Sequence, residues 1–375
     1  NGMVVDGTRA PAYQADVCIQ NGRIAEITAQ CGAEAKEVID ATGKVVSPGF
    51  IDIHTHSDLA PLSPFDPESK TNQGVTFELT GNCGISPLPS TPETRAAITE
   101  YYLSNLQYPP MDITVNTLDE YIRQANAHRN IANYGMLIGH SALRGCVMGF
   151  DNRPPTPEEL SSMGAFGMSL GLIYPPSAFA ETGELDALAR IVRKHNGFLA
   201  VHIRNEGPRV FESVEEMLGV AERSGVHLQI SHLKIMTKSL WGHSQRLLDM
   251  IDAARGRGIH VTCDQYPFFA SSTGMTALVP KWAHAGGLHP MLARINEPEQ
   301  KLRDDISREM ESRGGAERVM ISSTHGAEPA WEGKMVSDIA VQLGQDPVDA
   351  VLTILQRCHA NVHCNYFSQS EADME

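Results

Sequence analysis

Short apolar runs separated by turns recur along the chain, and their spacing changes near residue 49. Upstream, GMVVDGT, ADVCIQNGRIAEI and EVIDATGKVVSPG alternate β-type runs with tight turns, NGR at Asn21 to Arg23 and TGK at Thr42 to Lys44. Asn and Gly suit such turns because they accept positive φ at little cost. Residues 1–48 are therefore expected to form the N-terminal part of a small β-domain. From Gly49 the pattern becomes strand, loop, helix, repeated, with strands expected near 49–54, 75–81, 131–139, 166–172, 198–203, 227–232 and 259–264. That order implies parallel strands joined by crossover helices.

Helix starts anchor the repeat. Capping boxes are expected at Thr156 to Glu159, with Pro157 in the first helical position, and at Ser213 to Glu216. Seven such strands, with no GxGxxG after the first, favour an α/β fold of the (β/α)8 TIM-type barrel over a doubly wound sheet. Residues 49–375 are assigned to this barrel, without its last strand. Residues 271–330 break the alternation and are expected to form an excursion over the barrel mouth. The helix DPVDAVLTILQRC, opened by Asp346 and Pro347, resumes regular structure.

Composition narrows the partners. A chain of 375 residues with 42% hydrophobic content can bury a large core. Its formal charge of -15, from 30 basic and 45 acidic residues, argues against nucleic acid or an anionic membrane and for a small-molecule substrate. Seven scattered cysteines and the absence of an 18-residue apolar run point to a reducing cytoplasm rather than a disulfide scaffold. The chain does not begin with Met, so a lost leader stays open, and nothing in it sets the oligomeric state.

The chemistry lies at the strand ends. GFIDIHTH places His54 and His56 on one side of a strand, because alternate residues share a face. GNCG supplies Cys83, AVHIRNE supplies His202 and QISHLK supplies His232, each at the end of an apolar run. A lone HxH pair arises easily by chance, a lone Cys is most often a small buried hydrophobe, and single histidines are most often satisfied rim residues. Their coincidence at the carboxyl ends of four strands is what a barrel metal hydrolase requires, and the thiolate and imidazole donors suit zinc. Arg204 and Lys234 follow His202 and His232 by two residues, on the same face. CHANVHC brings Cys358, His359, His363 and Cys364 close together, but its spacing matches no common zinc finger and is read as a helix end running into a strand. His128, His195 and His243 are expected at the surface.

The segments PGFIDIHTHSD, GNCGISP, LIGHSALR, SLGLIYPP, VHIRNEG, ISHLKI and DQYPFFASSTGMTALVPKWAHAGG, in that order, resemble the N-acyl-D-amino-acid deacylases, or D-aminoacylases, of the amidohydrolase superfamily. The cysteine after the second strand carries most of the specificity, since many other amidohydrolases use a carbamylated lysine and FGMSLGLIYPP contains none. The resemblance implies a metal-dependent amidohydrolase with one tightly bound zinc on Cys83, His202 and His232. It implies a weaker or optional second site at His54 and His56. It also implies that Lys234, Tyr266, Tyr174 and Ser272 face the substrate, an N-acyl-D-amino acid, with Lys234 helping to hold its carboxylate. Arg204 is a further substrate-side candidate, or else orients the rim through Glu206.

The family's strand-8 aspartate, which shuttles the proton, is expected beyond Glu375, as are the return strands of the small β-domain; the chain is accordingly read as a fragment with no catalytic acid or base of its own. Two alternatives accompany this reading: a hydantoinase- or dihydropyrimidinase-like amidohydrolase acting on cyclic amides, and a non-catalytic metal- or ligand-binding remnant. Side-chain preference, acyl preference and metal count are not fixed by these residues.

Overall fold

The computed structural model describes residues 1–63, 68–106, 112–128, 130–163 and 168–374. They fall into two compact units, one made mainly of residues 1–52 and the other of nearly everything from residue 53 onward, with residues 68–77 and 131–133 joining the first.

In the first unit a four-stranded sheet runs in the order Arg23–Thr28, Tyr13–Gln20, Gly2–Val4, Val45–Val46. The first three strands pair antiparallel and the last pair is parallel. Asn21 and Gly22 turn the hairpin at φ 54° and 73°, and Gly43 turns at 72°, as the NGR and TGK signals require. Cys18 and Cys31 form a disulfide in this unit, which the expectation of a chain without a disulfide framework missed; the other five cysteines are free.

The second unit contains a five-stranded parallel sheet whose strands follow chain order across it: Ile138–Gly139, Met168–Gly171, Phe198–His202, His227–Ile230 and Val261–Cys263. Parallel strands are covered on both faces, so their sequences are apolar nearly throughout rather than alternating. Met168–Gly171 is buried at every position and Phe198–His202 at all but the first. The helices Thr182–Lys194, Val210–Ser224 and Ser244–Gly256 pack on this sheet, setting Leu188, Val192, Val214, Met217 and Ile251 against Leu170, Leu199, Val201, Leu228 and Val261. Each such side chain contributes about 1.5–3 kcal/mol on burial.

The expected starts of the repeat are met at Thr156, whose capping box with Glu159 opens the helix Pro157–Ser162. They are not met at Ser213. That residue lies inside the helix Val210–Ser224, whose N-cap is Arg209, and the approach is shaped by Asn205 Oδ1 accepting from the Gly207 and Arg209 amides at 3.1 and 2.8 Å. The expected 131–139 strand is divided into Asn133–Met136 and Ile138–Gly139. The first two residues of the expected 166–172 strand lie outside the described residues.

Residues 271–330 are more regular than an excursion. They include the helices Leu288–Asn296 and Gln300–Ser312 and the strands Ser271–Gly274 and Val319–Ser323. Both strands pair antiparallel with His363–Tyr366, and the group has its own core around Met275, Ile306, Ile321, Trp331, Leu352 and Tyr366. Asp346 caps the helix Pro347–Arg357 as expected, accepting from the Val348 and Asp349 amides.

Candidate metal centre

All five expected ligands lie in the second unit, at or just past strand ends, and gather in one place. Cys83 Sγ is 3.3 Å from His54 Nε2 and 3.4 Å from His232 Nε2. The rings of His202 and His232 cross at 78° with centroids 4.4 Å apart. Two sets of donor atoms converge within 4.8 Å, Cys83 with His202 and His232, and Cys83 with His54 and His56. Cys83 belongs to both. The backbone is unusual at two of the ligands: Cys83 has φ 54° and His232 φ 38°, in a region that residues with a Cβ seldom enter and that clusters at functional sites.

His202 is buried, and neither of its ring nitrogens has a hydrogen-bond partner. Its Nε2 lies 3.4 Å from Glu206 Oε2, close enough for electrostatic attraction but not oriented as a hydrogen bond. A buried imidazole without hydrogen bonds, beside a thiol and a second imidazole, is the donor set a zinc ion takes, so the residues fit that metal.

Two acidic residues that were not among the expected ligands or substrate-side residues hold the cluster together. Glu206 Oε1 lies 3.0 Å from His232 Nδ1 and accepts from the Lys234 ammonium. Asp264 Oδ1 accepts from the His232 backbone amide at 2.7 Å and lies 3.2 Å from His54 Nδ1, while Oδ2 accepts from Gln229 at 2.7 Å. Asp264 follows its strand directly, in CDQ, and Glu206 lies four residues past His202, in RNE, a signal that could have found them.

The charges couple. Burial would raise the Cys83 thiol, yet His54 and His232 outweigh it and hold the thiol well below its usual range, which favours the ligating thiolate. Burial likewise opposes charge on His54, and the Cys83 thiolate and Asp264 reverse this, raising its pKa to about 10. Burial disfavours the Glu206 carboxylate, but His202, Lys234 and His232 together keep it well below the ordinary range.

The substrate-side candidates divide. Tyr174 and Ser272 line a cavity of about 290 Å³ together with His56, Cys83, Ile85 and Leu106. The Tyr174 hydroxyl is 3.1 Å from Thr273 Oγ1. Tyr266 sits with its ring centroid 5.5 Å from Lys234 Nζ and accepts from Gln369 at 2.9 Å. Lys234 is buried, and the anion its charge requires is Glu206, supplied by the chain itself rather than by a ligand.

Arg204 is turned away from this group. Its guanidinium binds Glu216 at 3.0 Å and donates to the Ala178 and Ala180 carbonyls, so it tethers a loop and neither faces the substrate side nor reaches Glu206. In CHANVHC, Cys358 ends a helix and His363 begins a strand, and no metal cluster forms there among the described residues. His363 instead lines the cavity, with its Nε2 2.9 Å from the Asn105 carbonyl. His128, His195 and His243 are exposed.

Residues 37–298 match the model of the amidohydrolase family. The N-acyl-D-glutamate deacylase of Alcaligenes xylosoxydans xylosoxydans is 38% identical over 294 residues, which cover 75% of this chain and 58% of that protein. The crystal structure of N-acyl-D-glutamate deacylase from Bordetella bronchiseptica, complexed with zinc and a phosphonate mimic of the tetrahedral intermediate, superposes with a TM-score of 0.77 at 30% identity, covering all of this chain and 71% of that one. The chain belongs to the N-acyl-D-amino-acid deacylase family of amidohydrolases. D-aminoacylase, studied for one-metal activation and second-metal attenuation in its binuclear centre, superposes with a TM-score of 0.75 at 29% identity, covering 100% of this chain and 71% of that one. The fold is thus of the TIM-barrel type of that superfamily. The aligned stretch spans less than two thirds of the curated relative's length. No helix among the described residues is long and apolar enough to cross a membrane.

Proposed function

We propose that this chain carries the metal-binding and substrate-facing part of an enzyme that hydrolyses the amide bond of N-acyl-D-amino acids, giving a D-amino acid and a carboxylate. The observation that carries the reading is the convergence of Cys83, His202 and His232, with a buried His202 whose ring nitrogens make no hydrogen bond and whose Nε2 lies 3.4 Å from Glu206. Zinc held there supplies Lewis acidity toward the amide carbonyl and toward water at neutral pH. His54 and His56 form a second, optional site that shares Cys83.

The remaining roles belong to the chain's own side chains. Asp264 fixes His54 and the His232 backbone, and Glu206 orients the His232 ring, as carboxylates behind metal-bound imidazoles do. Tyr174, Ser272 and Tyr266 bound the space for substrate. Lys234 helps to hold the substrate carboxylate by sharing its ammonium between that group and Glu206, which keeps the buried charge neutralised throughout. On this reading residues 49–375 form the barrel wall and residues 1–48 part of the small β-domain. The net charge of -15 supports a small-molecule substrate and no nucleic-acid partner.

The test is zinc content together with turnover of N-acetyl-D- and N-acetyl-L-amino acids and of a hydantoin, in the intact protein and in His202→Ala and His232→Ala. Zinc and D-selective turnover should be lost together in both variants. Full turnover in His232→Ala, or hydantoin as the better substrate, would overturn the proposal.

A further inference from the structure

One buried hydroxyl bridges the two ends of the loop that carries Cys83, alongside Asp58, which accepts from the Gly81 amide at 2.7 Å. Gly81, Cys83 and Gly84 have φ 72°, 54° and 71°, so three of four successive residues occupy the left-handed region, and a conformation of this kind persists only where its surroundings impose it. Ser169, in the Met168–Gly171 strand, supplies such a constraint. It is fully buried, its Oγ accepts from the Gly84 amide at 2.9 Å, and the same oxygen donates to the Gly81 carbonyl. One side chain thus ties the two ends of the loop together.

Close packing leaves the loop little alternative while that tie is made. A Cβ on Gly171 would fall 1.9 Å from the Cys83 carbonyl oxygen, and one on Gly84 would fall 2.4 Å from the Gly171 nitrogen. The backbone of the loop therefore lies directly on the strand that bears Ser169. The loop uses the only donor of the Ser169 hydroxyl and one of its lone pairs, at a fully buried position.

We propose that Ser169 is a positioning residue for the Cys83 thiolate, holding Sγ at 3.3 and 3.4 Å from the His54 and His232 nitrogens before any metal arrives. Its contribution is preorganisation. Without the hydroxyl, the Gly81 carbonyl and the Gly84 amide lose their shared partner, and the loop gains conformations in which Sγ is withdrawn. This rests on the reading of Cys83, His202 and His232 as a metal site.

The experiment is a titration of the metal-free protein with Co²⁺, following the thiolate-to-cobalt charge-transfer band in the near ultraviolet, with affinity measured by chelator competition. The wild type should show the band and Cys83→Ser should lose it. Ser169→Ala should keep the band at saturation but bind Co²⁺ about 10–100-fold more weakly, the range expected for residues that support ligands from behind. If Ser169→Ala does not fold, Ser169→Cys, which keeps a weak donor at similar volume, is titrated in its place with the same weakening expected. Unchanged affinity in the variant titrated, with the band lost in Cys83→Ser, would overturn the positioning role and leave the metal site standing. A wild type without the band would overturn the metal reading itself.

Discussion

Histidines meet at both ends of the parallel sheet, and the two meetings are unlike. Past the carboxyl ends, His202 and His232 cross at 78° beside Cys83, Glu206 and Asp264. At the amino ends, His227 and His260 stack face to face, 3.8 Å apart and 7° from parallel, with Phe198 and the Thr262 hydroxyl as neighbours. Crossed rings aim nitrogens at a common point. Stacked rings hold their nitrogens in parallel planes, where the lone pairs run side by side and no ion can collect both. The contacts of the amino-end pair are an aromatic ring, a hydroxyl and each other, without the charged groups that surround the carboxyl-end pair. Distance between histidines therefore says little; ring orientation and the charge around the rings separate a ligand pair from a packing pair.

The largest expected effect comes from removing one histidine at each end. His232→Ala should weaken binding of the first metal by more than about a hundredfold, beyond what loss of a supporting residue costs, whereas His260→Ala should leave it unchanged. Zinc retention after dialysis against a graded chelator measures both, and equal behaviour of the two variants would erase the distinction. Next in size is the acidic partner found at one end alone. Glu206→Gln removes the anion from a buried Lys234, and breaking such a pair costs about 3–5 kcal/mol. Urea unfolding of the metal-free protein should show that loss, and Glu206→Gln combined with Lys234→Met should recover part of it. Additive losses in the double variant would mean the two charges are not coupled.

The ligand end was legible in the sequence because Cys83, His202 and His232 each close an apolar run, and a parallel strand presents its carboxyl end as the working edge. Turn chemistry was legible for a similar reason: Asn21 and Gly22 are residues that positive φ selects, and Thr156 with Glu159 forms a cap within four residues. Other features depended on distance. Glu206 and Asp264 follow strands as His202 and His232 do, but their partners are set by how three loops converge. Arg204 shares a spacing with Lys234, yet a helix two turns on offers it Glu216. Ser271–Gly274 carries no apolar alternation, and its partner strand lies some ninety residues away, so nothing local marks it as a strand. Ser213 has the capping-box pattern, but Asn205 shapes the chain earlier and the helix begins upstream.

Smaller effects separate tethering from substrate contact. Arg204→Ala should cost about 1 kcal/mol of stability, since the pair with Glu216 is partly exposed, and should leave KM for an N-acyl-D-amino acid where it was. Ser272→Ala, at the cavity wall, should raise KM with little change in stability. A KM shift in Arg204→Ala as large as that in Ser272→Ala would return the guanidinium to the substrate side.

The smallest effect belongs to the stacked pair, and pH should show it. Partial burial, and then the neighbouring His260, lower the His227 pKa below its ordinary value near 6.5. The unfolded chain therefore takes up a proton on this residue at a higher pH than the folded chain does. Above the ordinary value both states are neutral and the residue contributes no pH dependence. As pH falls from there toward the lowered folded value, stability is lost, and below that value the loss levels off because both states are charged. His227→Phe keeps a ring against Phe198 and His260 and removes the titration. Its melting temperature should fall less than that of the wild type between pH 7 and 5, with the metal removed so that ligand protonation is common to both proteins. Parallel declines would show that the amino-end stack carries no linkage, and that the contrast between the two ends lies in metal chemistry alone.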